Sequence, residues 1–91
     1  MSGINRQSSK NHLIEFHSEL KTQFLKLYHV PYIEDDFLAM VKLLESAGIQ
    51  RLTLNSFLKK NGKFDFMRYA DFLKLAEQTI ITLHFQISNL S

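Results

Sequence analysis

The stretch that decides the fold runs from Gly48 to Phe72 and reads GIQRLTLNSFLKKNGKFDFMRYADF. Gly48 stands where a left-handed residue ends a helix. Thr53 is a plausible N-cap for a short helix from Leu54 to Lys60, and Asn61-Gly62 is a turn signal. The stretch therefore predicts a turn, a short helix and a second turn.

Upstream of this stretch, apolar residues recur at three- and four-residue steps, which is typical of one face of an amphipathic helix. They predict a first helix from about Asn11 to Tyr28, which Pro31 closes. A second helix begins at the acidic run 34–36, which suits the positive end of the helix dipole. Residues 1–9 are polar and predict a disordered tail, which leaves one helical domain over residues 10–91.

Downstream, Asp65 can cap a last helix with an apolar stripe that starts at Tyr69. The chain after Gln78 is open to two interpretations, because Leu83 and Ile87 continue the stripe while residues 81–88 also alternate as a strand does. A lone strand needs a partner, so a long helix is favoured. The predicted fold is all-α, a compact bundle of about four helices with short turns, with a C-terminal strand as the alternative.

The amino-acid composition excludes several classes of function. The 91 residues fit one domain, and 45% of them are apolar. The chain has no Cys, which excludes disulfides and thiol nucleophiles. No run approaches the roughly 20 apolar residues that span a bilayer. We therefore expect a soluble, cytoplasmic protein with no membrane partner.

The sequence offers no catalytic or cofactor chemistry. His12 and His17, two of the four histidines, are five residues apart and do not share a helix face well. No metal-binding spacing, phosphate-cradling glycine loop or nucleophile elbow is present. We therefore expect neither an enzyme nor a bound metal or cofactor.

Charge is distributed unevenly along the chain. Residues 31–50 carry four acids against one lysine, a net charge of −3, whereas residues 51–63 carry four basic residues and no acid, a net charge of +4. The basic segment is interpreted either as the solvated end of a helix or as a contact patch.

One hypothesis for this segment is a helix-turn-helix that binds nucleic acid. The supporting helix would be residues 34–47, and the recognition helix would be residues 53–61. Asn55 and Ser56 could face bases, and the basic residues could face phosphates. The candidate phosphate contacts are Arg51, Lys59, Lys60 and Lys63.

The other hypothesis rests on Asn61 to Leu75, NGKFDFMRYADFLKL, which resembles the second half of an EF-hand. Asn61-Gly62 is similar to the central turn of the loop, Phe64 to its apolar β contact, and Phe66 and Tyr69 to the first aromatics of the exiting helix. The residues before it resemble a first hand with a shortened loop. The resemblance therefore covers about Ser18 to Glu77, as one calmodulin-type or light-chain-like lobe.

The resemblance implies a lobe without calcium that clamps an amphipathic helix from a partner protein. Phe57, Lys59 and Arg68 occupy positions where a calcium loop needs acidic ligands. The exposed aromatic and Met side chains would then bind a partner protein or a second copy, unless they are simply core. The candidate contacts are Phe37, Met40, Met67 and Phe72.

Overall fold

In the computed structural model, residues 2–30 and 32–90 are described, with side chains from Lys10 onward, and they contain four α-helices and no named β-strand. The helices are α1 Ser2–His29, α2 Glu34–Ser46, α3 Arg51–Asn55 and α4 Tyr69–Asn89, and a 3₁₀ turn at Phe66–Arg68 precedes α4. The predicted all-α bundle is confirmed. Residues 79–88 are helical, so the strand alternative is wrong.

The first helix begins earlier than its apolar pattern predicts. α1 starts at Ser2 instead of near Asn11, since no proline interrupts the intervening residues. Pro31, which the sequence predicts to close α1, lies outside the described residues, and α1 ends at His29. The division of the chain into a disordered tail, residues 1–9, and a domain, residues 10–91, stays a prediction.

The core lies where α1, α2 and the first half of α4 meet. Phe37 and Phe64 stack with ring centroids 4.1 Å apart, and Phe72 packs edge-on against Phe64 at 4.8 Å. Burying each such ring contributes on the order of 1.5–3 kcal/mol. The other buried hydrophobic residues are Leu20, Leu27, Met40, Leu44, Leu54, Phe57, Ala76 and Leu83.

A tight turn replaces the second half of the predicted short helix. The helix is Arg51–Asn55 and not Leu54–Lys60, because Phe57 turns into the core and Leu58 pairs with Phe64 in an isolated antiparallel bridge. Tertiary packing thus overrides the local helix propensity of Leu and Lys. The N-cap is Gln50, so the predicted cap at Thr53 is also wrong.

The predicted turn residues are confirmed. Gly48 and Gly62 have φ of +98° and +84°, values that L side chains rarely adopt. Asn61 Oδ1 accepts the Lys63 N–H at 3.0 Å within the second turn. The Asp65 side chain accepts the Met67 N–H at 3.1 Å and so caps the 3₁₀ turn that leads into α4.

Candidate protein-interaction surface

The predicted partner contacts do not form a surface. Phe37, Met40 and Phe72 are fully buried, with no exposed area. They are core residues in this structure, and the prediction that they are exposed contacts is corrected. Their buried positions follow from the packing of α1, α2 and α4 against the Leu58–Phe64 bridge. Met67, on the 3₁₀ turn, is 92% exposed and stays a candidate contact.

Most phenylalanine side chains pack in the core or against it. All eight phenylalanines lie in the described part of the chain, and seven of them are buried or half-buried. Phe85, on the C-terminal half of α4, is the exception at 63% exposure. The exposed phenylalanine is therefore Phe85, which is not among the predicted contacts.

An apolar groove lies at the end of α2, along the helix that carries Phe85. It has a volume of about 370 Å³ and lies between the N-terminal half of α1 and the C-terminal half of α4. Its lining comes from α1, from the end of α2 and the turn that follows, and from α4. The lining residues are Leu13, Phe16, Ser46, Ala47, Ile49, Leu75, Gln78, Thr79, Thr82, Leu83 and Gln86.

The groove lining and the C-terminal part of α4 carry no formal charge. None of the eleven lining residues is Asp, Glu, Lys or Arg, and α4 has no such residue from Gln78 to Asn89. Ile81, one turn before Phe85, is 48% exposed. Depletion of charge together with an exposed aromatic side chain is the compositional signal of an interface centre. We call the groove with Ile81 and Phe85 the α4 surface.

A histidine pair lies on the seam between α1 and α4. The rings of His17 and His84 have centroids 5.7 Å apart, and the Phe85 ring is 6.3 Å from that of His84. Burial lowers the pKa of His17 below its ordinary value, and the nearby Lys21 ammonium and His84 ring lower it further. The fold therefore favours the neutral imidazole of His17.

A second apolar patch surrounds the connection between α1 and α2. Tyr32 is 76% exposed, although its ring lies 5.8 Å from that of Phe66 and 6.4 Å from that of Tyr69. The neighbouring groove of about 400 Å³ is lined by Lys26 and Asp36 as well as by apolar side chains. This patch is thus interrupted by charge, unlike the α4 surface.

The basic segment is exposed, but it does not form the predicted recognition helix. α3 ends at Asn55, so residues 53–61 are not one helix. Arg51 pairs with Glu45 at 2.7 Å, and the Ser56 hydroxyl donates to the Thr53 carbonyl at 2.6 Å. These two side chains therefore have partners within the chain.

The three lysines of this segment share one tight turn. The Lys59 N–H donates to the Lys63 carbonyl at 2.7 Å, and the Gly62 N–H donates to the Lys59 carbonyl at 2.9 Å. Lys59, Lys60 and Lys63 are all exposed. The turn therefore gathers three ammonium groups, which we call the lysine turn.

The residues at the calcium-ligand positions of the resemblance have other contacts. Phe57 is buried, and the Arg68 guanidinium lies 4.5 Å above its ring while donating to the Ser56 carbonyl at 3.0 Å. Within residues 2–30 and 32–90, no three His, Asp or Glu side chains come together as a metal site would require.

The fold and the surface define a small all-α bundle that carries an uncharged apolar groove. No family model, curated protein or solved structure matches the chain. The likeness to an EF-hand lobe therefore stays a prediction. None of the helices in the described part of the chain is long and apolar enough to cross a membrane.

Sequence reasoning missed the α4 surface, although its signal was present. The absence of charge after Glu77 is visible in the sequence, but its significance depends on where α2 ends relative to α1 and α4. Periodicity identifies the apolar face of a helix and cannot tell how much of that face a neighbour covers.

Proposed function

We propose that this chain is a small, non-enzymatic protein-interaction module that binds another polypeptide through the α4 surface. The observation that carries the proposal is the uncharged groove along α4, the helix that also exposes the side chains of Ile81 and Phe85. Aromatic side chains in well-packed, desolvated positions dominate the energy of many interfaces, and an apolar groove can hold the apolar face of an amphipathic helix.

The chemistry of the groove supports binding over catalysis. Its polar side chains are hydroxyls and amides, such as those of Thr82 and Gln86, and none of them is an acid or a base near neutral pH. The histidine pair lies on the α1–α4 seam and does not line the groove. Contacts with a partner would therefore be apolar at the centre and hydrogen-bonded at the edges.

Site-specific photo-crosslinking tests the proposal. Phe85→p-benzoylphenylalanine keeps an aromatic side chain at the exposed position, and Leu52→p-benzoylphenylalanine provides a control at a residue that is 81% exposed on α3. After irradiation in cells that express the chain, we expect protein adducts at position 85 that are weaker or absent at position 52. Equal adducts at both positions, or none at position 85, would contradict the proposal.

Nucleic-acid binding is a second candidate function, favoured by the lysine turn. Three exposed ammonium groups on one turn can neutralise phosphates without reading the base sequence. Each neutralised phosphate releases counterions, so the affinity would fall steeply with salt. The residues proposed to act are Lys59, Lys60 and Lys63, with Arg51, Asn55 and Ser56 next to them.

Fluorescence polarisation with a labelled random duplex tests this second candidate from about 20 to 300 mM salt. We expect micromolar binding at low salt that is lost in the double variant Lys59→Ala, Lys60→Ala. The matched control is Lys26→Ala with Lys74→Ala, which removes the same charge from exposed helix positions. An affinity and salt slope that the lysine-turn variant leaves unchanged would exclude the turn as a phosphate contact.

A further inference from the structure

A groove between α2 and α3 shares no lining residue with the α4 surface. Its volume is about 280 Å³. The residues that α2 contributes recur at three- and four-residue steps, so they lie on one face of that helix. We call this feature the α2–α3 groove. Its lining residues are Leu38, Val41, Lys42, Glu45, Arg51, Leu54, Asn55 and Leu58.

Four of the lining residues are apolar and come from both sides of the groove. Leu38 and Val41 lie on α2, Leu54 lies on α3, and Leu58 lies in the turn that follows. Leu54 is buried, whereas the other three are half-buried and leave part of their surface open to a partner. From Leu38 to Glu45 the face of α2 extends over about 10 Å, which is the length of two helical turns.

Basic side chains line and flank this groove. Lys42 on α2 and Arg51 on α3 line it, and both are exposed. The lysine turn begins directly after Leu58, since Lys59 is the next residue and its Cα lies about 3.8 Å from that of Leu58. The Lys59 N–H donates to the Lys63 carbonyl at 2.7 Å, which holds the other side of the turn at the same place. The lysine turn therefore adjoins the groove.

Two acidic side chains contact the groove or the Leu58–Phe64 bridge, and both have partners within the chain. Glu45 lines the groove and pairs with Arg51 at 2.7 Å. The Glu34 carboxylate accepts the N–H of Phe64. The five basic residues of the groove and the lysine turn, taken with these two acids, carry a net charge of +3. Such a surface is complementary to an acidic partner.

We infer that the α2–α3 groove binds an acidic amphipathic helix of a partner protein. The apolar face of that helix would contact Leu38, Val41 and Leu58. Its Asp and Glu side chains would pair with Lys42, with Arg51 and with the lysine turn. This is a second docking surface, so the inference goes beyond the interaction proposed for the α4 surface and does not depend on it.

The mixed lining favours an acidic peptide over nucleic acid. An amphipathic helix carries both carboxylates and apolar side chains, so it matches the basic and the apolar residues of the groove together. A phosphate backbone would use the basic residues alone. The Arg51 guanidinium has five N–H donors, so it can bind a carboxylate of the partner while it keeps its pair with Glu45.

Fluorescence polarisation of the full chain with a labelled peptide tests the inference. The peptide consists of about 14 residues of Glu and Leu, with the leucines at three- and four-residue steps so that they form one face. The comparison probes are a scrambled peptide, which has the same charge and no apolar face, and a labelled random duplex. At about 50 mM salt we expect a micromolar Kd for the patterned peptide and at least tenfold weaker binding of the scrambled one.

A pair of charge-matched variants locates the ionic contacts. Lys42→Glu combined with Lys59→Glu should weaken binding of the patterned peptide at least tenfold. Lys26→Glu combined with Lys74→Glu changes the net charge equally at exposed positions on α1 and α4, and should weaken it less than threefold. Equal losses in the two double variants would show that only the net charge acts, and would contradict the inference.

Uncharged variants locate the apolar contacts. Leu38→Gln should weaken the patterned peptide at least threefold. Leu52→Gln, at a residue that is 81% exposed outside the lining, and Phe85→Gln, on the α4 surface, should leave its Kd unchanged. Circular dichroism checks that each variant keeps its helix content. Because Lys42 and Lys59 are exposed, their double variant tests the groove even where Leu38→Gln impairs folding.

Three results would overturn the inference. Scrambled and patterned peptides that bind equally would show that charge alone acts. A patterned peptide that only Phe85→Gln weakens would belong to the α4 surface instead. A duplex that binds where the patterned peptide does not would make nucleic acid the partner of the lysine turn and leave the α2–α3 groove without a role.

Discussion

The two ends of the α1–α4 pair differ in what covers them. At one end, α2 and the Leu58–Phe64 bridge close over the pair, and Phe37, Phe64 and Phe72 are fully buried. At the other end no further helix of the described residues 2–30 and 32–90 covers Phe85 and Ile81, which are exposed. The same kinds of residue thus serve as core at one end and as surface at the other, depending on the length of the helix packed against them.

The largest expected effect contrasts a phenylalanine from each end. Phe37→Ala removes a ring that stacks on Phe64 at 4.1 Å and should cost about 3–5 kcal/mol of unfolding free energy. Phe85→Ala removes a ring that is 63% exposed and should cost less than about 0.5 kcal/mol in the dilute monomer. Urea denaturation followed by circular dichroism measures both losses. Similar losses at the two positions would contradict the division into a closed end, covered by α2, and an open end, where Phe85 is exposed.

The second effect concerns the hydrogen bond that joins α2 to the bridge. The Glu34 carboxylate accepts the N–H of Phe64 at 2.5 Å. Glu34→Ala leaves that N–H without an acceptor in a partly buried position and should cost about 1–3 kcal/mol. Asp35→Ala removes a carboxylate from the same helical turn at an exposed position, so it controls for the helix dipole. Equal losses in denaturation would assign the Glu34 effect to the dipole alone.

The third effect tests the lysine turn at the closed end. Gly62 has φ of +84°, and apart from Gly62 and its two chain neighbours no residue has an atom within 4 Å of a Cβ added there. Gly62→Ala should therefore cost about 1–2 kcal/mol through backbone conformation alone. Gly62→Asn should cost less, since Asn tolerates the left-handed region better. If Ala and Asn destabilise equally in urea, the left-handed conformation is not the cause.

Local pattern was sufficient for most of the fold. The acidic start of α2 and the left-handed Gly48 each depend on neighbours in the sequence, and each lies where the pattern predicts. Asp65 caps the 3₁₀ turn before α4 instead of α4 itself. The short helix from Leu54 to Lys60 was wrong, because the positions of Phe57 and Leu58 depend on contacts with α4 and with Phe64. Sequence spacing carries no information on those distant contacts.

The candidate site was predicted less well for a related reason. Phe37, Met40 and Phe72 were selected by residue type, and type does not distinguish a core aromatic from an exposed one. The depletion of charge after Glu77 was readable in the sequence. It indicates an interface only once the end of α2 shows that this half of α4 has a face without a covering helix.

The smallest expected effect is a pH dependence at the open end, where His17 and His84 meet. Because burial lowers the pKa of His17, with Lys21 on α1 and His84 on α4 adding to the shift, the unfolded chain binds a proton at this site more readily than the fold does. Stability should therefore be highest above the ordinary histidine pKa of about 6.5 and fall as the pH drops below it, levelling off below the lowered folded pKa.

Urea midpoints at pH 7.5 and 5.5 measure this dependence in the natural chain and in His17→Gln, at one fixed protein concentration. We expect the loss of stability on acidification to be smaller in His17→Gln, because the titrating ring is gone. His12→Gln, at an exposed position on the same helix, should behave as the natural chain does. An identical loss in all three chains would show that the seam between α1 and α4 does not sense protonation, and would leave the open end distinguished by its uncovered face alone.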